Sequence, residues 1–122
     1  KALNATIGTG DLATAVAAGT ECRELAAAIG DRNYSRGGRW CLGNALFARG
    51  HVDEAEALYR EVMTEADAEL ALIWQVNARA TLAHVLAYRG RPDEARAVAL
   101  EALAGAEEIG RYQQGVVYSV WL

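Results

Sequence analysis

The chain has 122 residues, 52% of them apolar and 23% charged, with one proline and a formal net charge of -4 at pH 7. That size suits one domain, and the balance suits a soluble helical domain rather than a disordered tail. A pI near 5.1 with Lys1 as the only lysine argues against direct nucleic-acid binding, because such a surface needs a surplus of Lys and Arg to displace counterions from phosphates. The arginines are scattered among carboxylates and read as a solvated, mixed surface.

The opening residues, KALNATIGTG, read as the tail of a helix ended by glycines. Asp11 follows as an N-cap, and Leu12, Val16, Cys22, Leu25 and Ile29 recur near helical spacing through an alanine-rich segment that Gly30 closes. Gly30 and Asp31 together are a stop and a start. From Asp31 to Arg49 a helix is predicted, with Gly37 and Gly38 inside it at about 1 kcal/mol each relative to Ala. Either this helix starts late, near Arg39, or a neighbouring helix packs against the glycines.

Gly50 ends that helix, and a short turn leads to an acidic first helical turn at Asp53 and Glu54. The same arrangement returns at Gly90, Asp93 and Glu94, with Pro92 at a first helical position where its missing N–H is not needed. Carboxylates there interact favourably with the positive end of the helix dipole, by about 0.3 to 1 kcal/mol. Their recurrence makes them helix-start residues rather than catalytic ones. Between the two copies, Glu69 to Arg89 contains no glycine and predicts one long, continuous helix. Glu107 to Gly110 close the last full unit, and Arg111 to Leu122 begin a further helix.

The repeat itself is explicit: Leu42, Leu46, Arg49, Gly50, Asp53, Glu54, Ala55 and Ala57 recur 40 residues on as Leu82, Leu86, Arg89, Gly90, Asp93, Glu94, Ala95 and Ala97. A degraded first copy places Gly10 and Ala15 over Gly50 and Ala55. The expected organisation is a single repeat domain over residues 1–122, with units at about 1–30, 31–69 and 70–110. Ala15, Ala55 and Ala95 should sit where helices cross most closely, so that Ala55→Leu overpacks the contact by about 1 to 3 kcal/mol.

The segment LGNALFARGHVDEAEALYREV resembles a tetratricopeptide repeat, through Leu42, Gly43, Gly50, Ala55 and Tyr59. The second copy departs from that pattern at Ala83 and Ala99. The resemblance implies an all-α, right-handed solenoid of stacked antiparallel helix hairpins, truncated at both ends and able to self-associate through them. The usual unit is about 34 residues. The 40-residue period, with junctions such as Ile29 to Arg32, is similar to the solenoids of large bacterial LuxR-type and STAND ATPase transcriptional regulators, in which a nucleotide-binding module precedes the repeats and a DNA-binding helix-turn-helix follows. It implies a cytoplasmic sensor or coupling arm in signal transduction, cut from a longer protein.

In the family's architecture the first helix of each hairpin lines a concave face. Carried over by position, this selects Trp40, Asn44 and Phe47 with Gly37 and Ala48, and Asn77, His84 and Tyr88 with Ala80 and Ala87. Flat apolar anchors with amide and imidazole groups suit a protein or peptide partner, or a small effector. The competing reading is that Trp40 and Phe47 fill space between units, and that Tyr34 and Trp74, which share a repeat position, are both packing residues.

Catalysis is not expected. Ser35 and Ser119 lie in no nucleophile-elbow context, no Gly-rich phosphate loop follows a strand, and no His adjoins Cys22 or Cys41. The two cysteines read as buried free thiols in a reducing compartment, with no disulfide framework. His51 and His84 have no ligand set around them, so neither metal nor cofactor is expected. No apolar run is long enough to span a bilayer. A structural spacer or self-association module is the alternative to the binding face.

Overall fold

A computed structural model describes residues 9–109. These form five helices: α1 (Leu12–Ile29), α2 (Arg32–Ala48), α3 (Val52–Ala68), α4 (Leu72–Tyr88) and α5 (Pro92–Ile109). Helices α1, α3 and α5 begin at residues 12, 52 and 92, and α2 and α4 at 32 and 72, so the 40-residue period of the sequence is also the period of the fold. The architecture is all-α, as expected. The predicted helical tail over the first eight residues and the further helix from Arg111 to Leu122 lie outside the described residues.

The predicted caps are made. Asp11 accepts from the Thr14 N–H at 3.1 Å and the Thr14 hydroxyl at 2.6 Å, and Asp31 accepts from the Tyr34 N–H at 2.9 Å. The Thr14 bonds hold the Asp11 carboxyl below the usual carboxylate range. Asp53 and Glu54 occupy the first turn of α3, and Asp93 and Glu94 that of α5, which starts at Pro92. Glu94 also accepts from Arg60 at 3.0 Å and pairs with Arg91, and the Arg60 bond contributes most to lowering its pKa.

Four helix ends share one hydrogen-bond pattern, in which a residue two or three past the helix reaches back to the last turn. Asp31 N–H donates to Ala26, His51 to Leu46, Ala71 to Ala66 and Arg91 to Leu86, each at 2.9 Å. The residue before each of these donors must take positive φ, and Gly30, Gly50 and Gly90 do so at +72°, +85° and +74°. The fourth is Leu70 at +54°. The expected long helix therefore forms without a break but starts at Leu72 rather than Glu69; α3 stops at Ala68, and α4 runs unbroken from Leu72 to Tyr88.

Leu70 tolerates the left-handed conformation because the closing bonds require it, at a cost of about 1 to 2 kcal/mol for a residue with a Cβ. Its side chain is 77% exposed, so little packing offsets that cost. Leu70→Gly is expected to raise stability by about 0.5 to 1 kcal/mol once glycine's greater freedom in the unfolded chain is subtracted. A rise in the thermal midpoint checks it; a fall would show that the leucine side chain holds something in place.

The chain divides into two compact units, Lys1–Leu58 and Tyr59–Leu122. In the first, α1 and α2 pack through small residues: Ala15 and Ala45 are both fully buried, and Val16 lies against them. A Cβ on Gly19 would lie 3.1 Å from Leu42 Cα, and one on Gly38 would lie 2.7 Å from the Arg23 backbone nitrogen. This settles the two readings of the glycines in α2. The helix starts early, at Arg32, and a neighbouring helix occupies the space at Gly38.

In the second unit, Val76 of α4 and Ala106 of α5 form a buried cluster with Leu103 and Ile109 against it. Leu82, Leu86, Val62 and Tyr59 are fully buried as well. Ala55 and Ala95 are at most 1% exposed, where the repeat placed close-contact positions. The arginines depart from the solvated reading at two positions: Arg36 is 5% exposed, and the Arg79 side chain is 17% exposed.

Arg79 joins three helices. Its guanidinium donates from Nη1 and Nη2 to the two Asp67 oxygens of α3, both at 2.8 Å, and from Nε to Glu101 Oε2 of α5 at 2.8 Å. The two-pronged geometry is the strong form of this pair. It holds the Asp67 carboxyl below its ordinary range and pushes the guanidinium pKa further up, with Asp67 as the first cause.

Candidate binding face

Helical spacing assembles each half of the proposed face on its own helix. Trp40, Asn44 and Phe47 stand at i, i+4 and i+7 of α2, and Asn77, His84 and Tyr88 at i, i+7 and i+11 of α4, so each triplet lies along one side. The α2 triplet belongs to the first unit and the α4 triplet to the second.

Exposure separates the six residues. Trp40, Asn44, Phe47 and Asn77 are half-buried, whereas His84 is exposed and Tyr88 is 71% exposed. Trp40 Nε1 is shielded from solvent, as is Arg36 Nε one turn away on α2. The half-burial of Trp40 and Phe47 agrees with the packing alternative, while His84 and Tyr88 present their side chains at the surface. Two neighbouring expectations are corrected. Ala80 is fully buried and cannot line a groove, and Tyr34 is 63% exposed although it shares a repeat position with half-buried Trp74.

Two residues on these stripes were not singled out for the face from the sequence. Thr81 lies between Asn77 and His84, and its hydroxyl donates back to the Asn77 and Ala78 carbonyls at 3.0 and 3.1 Å. That bond uses the hydroxyl within its own helix. Its repeat equivalent is Cys41, on the stripe of Gly37 and Asn44. The 40-residue offset identifies both from the sequence alone.

Charge is segregated by helix. Neither α2 nor α4 contains an Asp or a Glu; α2 carries Arg32, Arg36 and Arg39, and α4 carries Arg79 and His84. The carboxylates are concentrated on α3 and α5, from Asp53 to Asp67 and from Asp93 to Glu108. The first helix of each repeat thus brings no negative charge of its own to a partner. Among the described residues, no group of three or more His, Cys, Asp or Glu is placed to hold a metal ion. Cys22 and Cys41 are half-buried free thiols rather than fully buried ones.

A family model described as tetratrico peptide repeat matches residues 8–120. The chain belongs to the tetratrico peptide repeat family. It is also 41% identical over 103 residues to "Putative HTH-type transcriptional regulator Mb0914c" of Mycobacterium bovis, and equally to two Mycobacterium tuberculosis proteins of the same description, MT0914 and Rv0890c. The match covers 84% of this chain and 12% of each relative. No solved structure matches significantly. Among the described residues, no helix is long and apolar enough to cross a membrane.

Proposed function

We propose that this chain is a non-catalytic binding segment of a bacterial multidomain transcriptional regulator, acting as its sensor or coupling arm. The observation that carries the reading is the acid-free first helix of each repeat, on which, in α4, His84 and Tyr88 are exposed. A protein or peptide occupies the α4 stripe, with Tyr88 as an aromatic anchor and Asn77 and His84 orienting it through hydrogen bonds. Membership of a repeat family and the names of the mycobacterial relatives support this placement. The LuxR-type organisation is part of the same proposal and predicts a P-loop module encoded before this segment and a helix-turn-helix after it.

A second reading, a spacer that packs on other parts of its own protein, is favoured by exposed Leu70, Leu72 and Ile73 beside the α3–α4 turn. One pair of experiments separates the two. In the full-length regulator, Asn77→Ala combined with His84→Ala should reduce transcription from a reporter promoter at least about tenfold, if each substitution removes roughly 1 kcal/mol of binding. The thermal midpoint should stay unchanged. Unaltered output from the double variant, with loss of output from Leu72→Ser, would transfer the role to the apolar turn.

A further inference from the structure

The seam between α1 and α2 holds two thiols that the binding reading does not use. Its contacts run Ala15 to Ala45, Gly19 to Leu42, and Cys22 and Arg23 to Gly38, so the two helices are antiparallel. Cys22 lies three residues after Gly19, and Cys41 three after Gly38. At about 100° per residue, each cysteine is turned roughly 60° back from the glycine that touches the other helix. Because the helices run in opposite directions, both turns lead to the same side of the seam. Each Cβ also tilts toward its own helix N-terminus, which brings the two closer along the axis.

The spacing is short because nothing but glycine separates the backbones. A Cβ on Gly38 would meet the Cys22 carbonyl carbon at 3.2 Å. With the axes about 8 Å apart, the two cysteine Cα atoms lie roughly 6 to 7 Å apart, at the upper end of what a disulfide spans. The Cys22 thiol already points across the seam, with Sγ 3.9 Å from the Tyr34 carbonyl oxygen of α2. Burial raises the Cys41 thiol pKa, and the neighbouring Cys22 raises it further, as two thiols sharing one side of a seam would.

We propose that Cys22 and Cys41 are a redox site, closing reversibly into a disulfide that fastens α2 to α1. The oxidant is a low-molecular-weight disulfide. The Cys22 thiolate attacks one of its sulfurs and expels the first thiolate, leaving a mixed disulfide on Cys22. Cys41 then loses its proton to water, and its sulfur attacks Cys22 Sγ, expelling the second thiolate. Two cysteine thiols lose two electrons and two protons, and one small disulfide becomes two small thiols. Cys41 is on the same stripe as Asn44, so the bond forms at the edge of the candidate face, although the chemistry does not depend on what that face binds.

The test treats the 122-residue chain with oxidised glutathione and follows it by intact mass and peptide mapping. The expected product is a monomer about 2 Da lighter, carrying a Cys22–Cys41 cross-link that a dithiol reverses. Cys41→Ser should stop at a glutathione adduct on Cys22, and Cys22→Ser should react at least about tenfold more slowly, since the thiol that is left has its pKa raised by burial. Circular dichroism checks that both variants remain helical, and the wild-type product stands as a test without them. Glutathione on both cysteines of the wild-type chain, an intermolecular dimer, or no reaction would each overturn the proposal.

Discussion

Gly38→Ala is expected to destabilise the fold by about 1 to 3 kcal/mol, although alanine is the better helix former by about 1 kcal/mol. The new Cβ would meet the Arg23 backbone nitrogen at 2.7 Å and the Arg23 Cα at 3.0 Å. Those atoms belong to the helix opposite and cannot rotate away, so α1 and α2 must separate, which also opens the Ala15–Ala45 contact. Gly105→Ala is the informative control. There the Cβ would meet only a side-chain methyl, Val76 Cγ2 at 2.9 Å. A small adjustment relieves that contact, and the gain in helix propensity should bring the net change close to zero. Urea unfolding of the two variants should show a lowered midpoint for Gly38→Ala alone, with m unchanged. Equal midpoints would mean that α1 and α2 separate at little cost.

This contrast marks what the sequence could carry. Helix starts follow from residue types that act locally, such as Asp11 and Asp31 as caps and Pro92 at a first turn, and the repeat multiplied each local signal by its copies. Gly38 was ambiguous because its reason lies on another helix. Leu70 gave no signal, since the bonds that close α3 impose a left-handed residue whatever its side chain, and glycine there is a preference rather than a requirement.

For the candidate face, the periodicity fixed which residues share a side of α2 or α4 but not how deeply they are buried. Tyr34 and Trp74 show why: repeat equivalence transfers backbone position, while exposure depends on neighbouring side chains that differ between copies. Buried Ala80 and half-buried Trp40 occupy equivalent positions with unequal exposure for the same reason. The pairing of Arg79 was likewise out of reach, because Asp67 and Glu101 lie 12 and 22 residues away and meet it only once three helices have packed.

Removing that arginine should produce the other large loss. Arg79→Met keeps most of the aliphatic stem that covers the neighbouring helices but deletes three charge-assisted hydrogen bonds. Bonds of this kind contribute about 1.5 to 3 kcal/mol when buried. The side chains of Asp67 and Glu101 are 40% and 62% exposed, so water covers much of what the arginine leaves, and the expected cost is discounted to about 2 kcal/mol. Arg79→Lys should recover less than half of it, because an ammonium cannot engage both Asp67 oxygens in the same fork.

The pH dependence separates this from a simple loss of packing. Asp67 has a folded-state pKa below its unfolded value, so its contribution is fully present above the unfolded value, near pH 4, and is lost as pH falls through the folded one. Wild type should therefore lose stability more steeply than Arg79→Met below about pH 4, and the gap between them should narrow with acidification. A gap that stays constant from pH 7 to pH 3 would mean that Arg79 acts through its stem alone, with the ion pair to Asp67 contributing nothing to the fold.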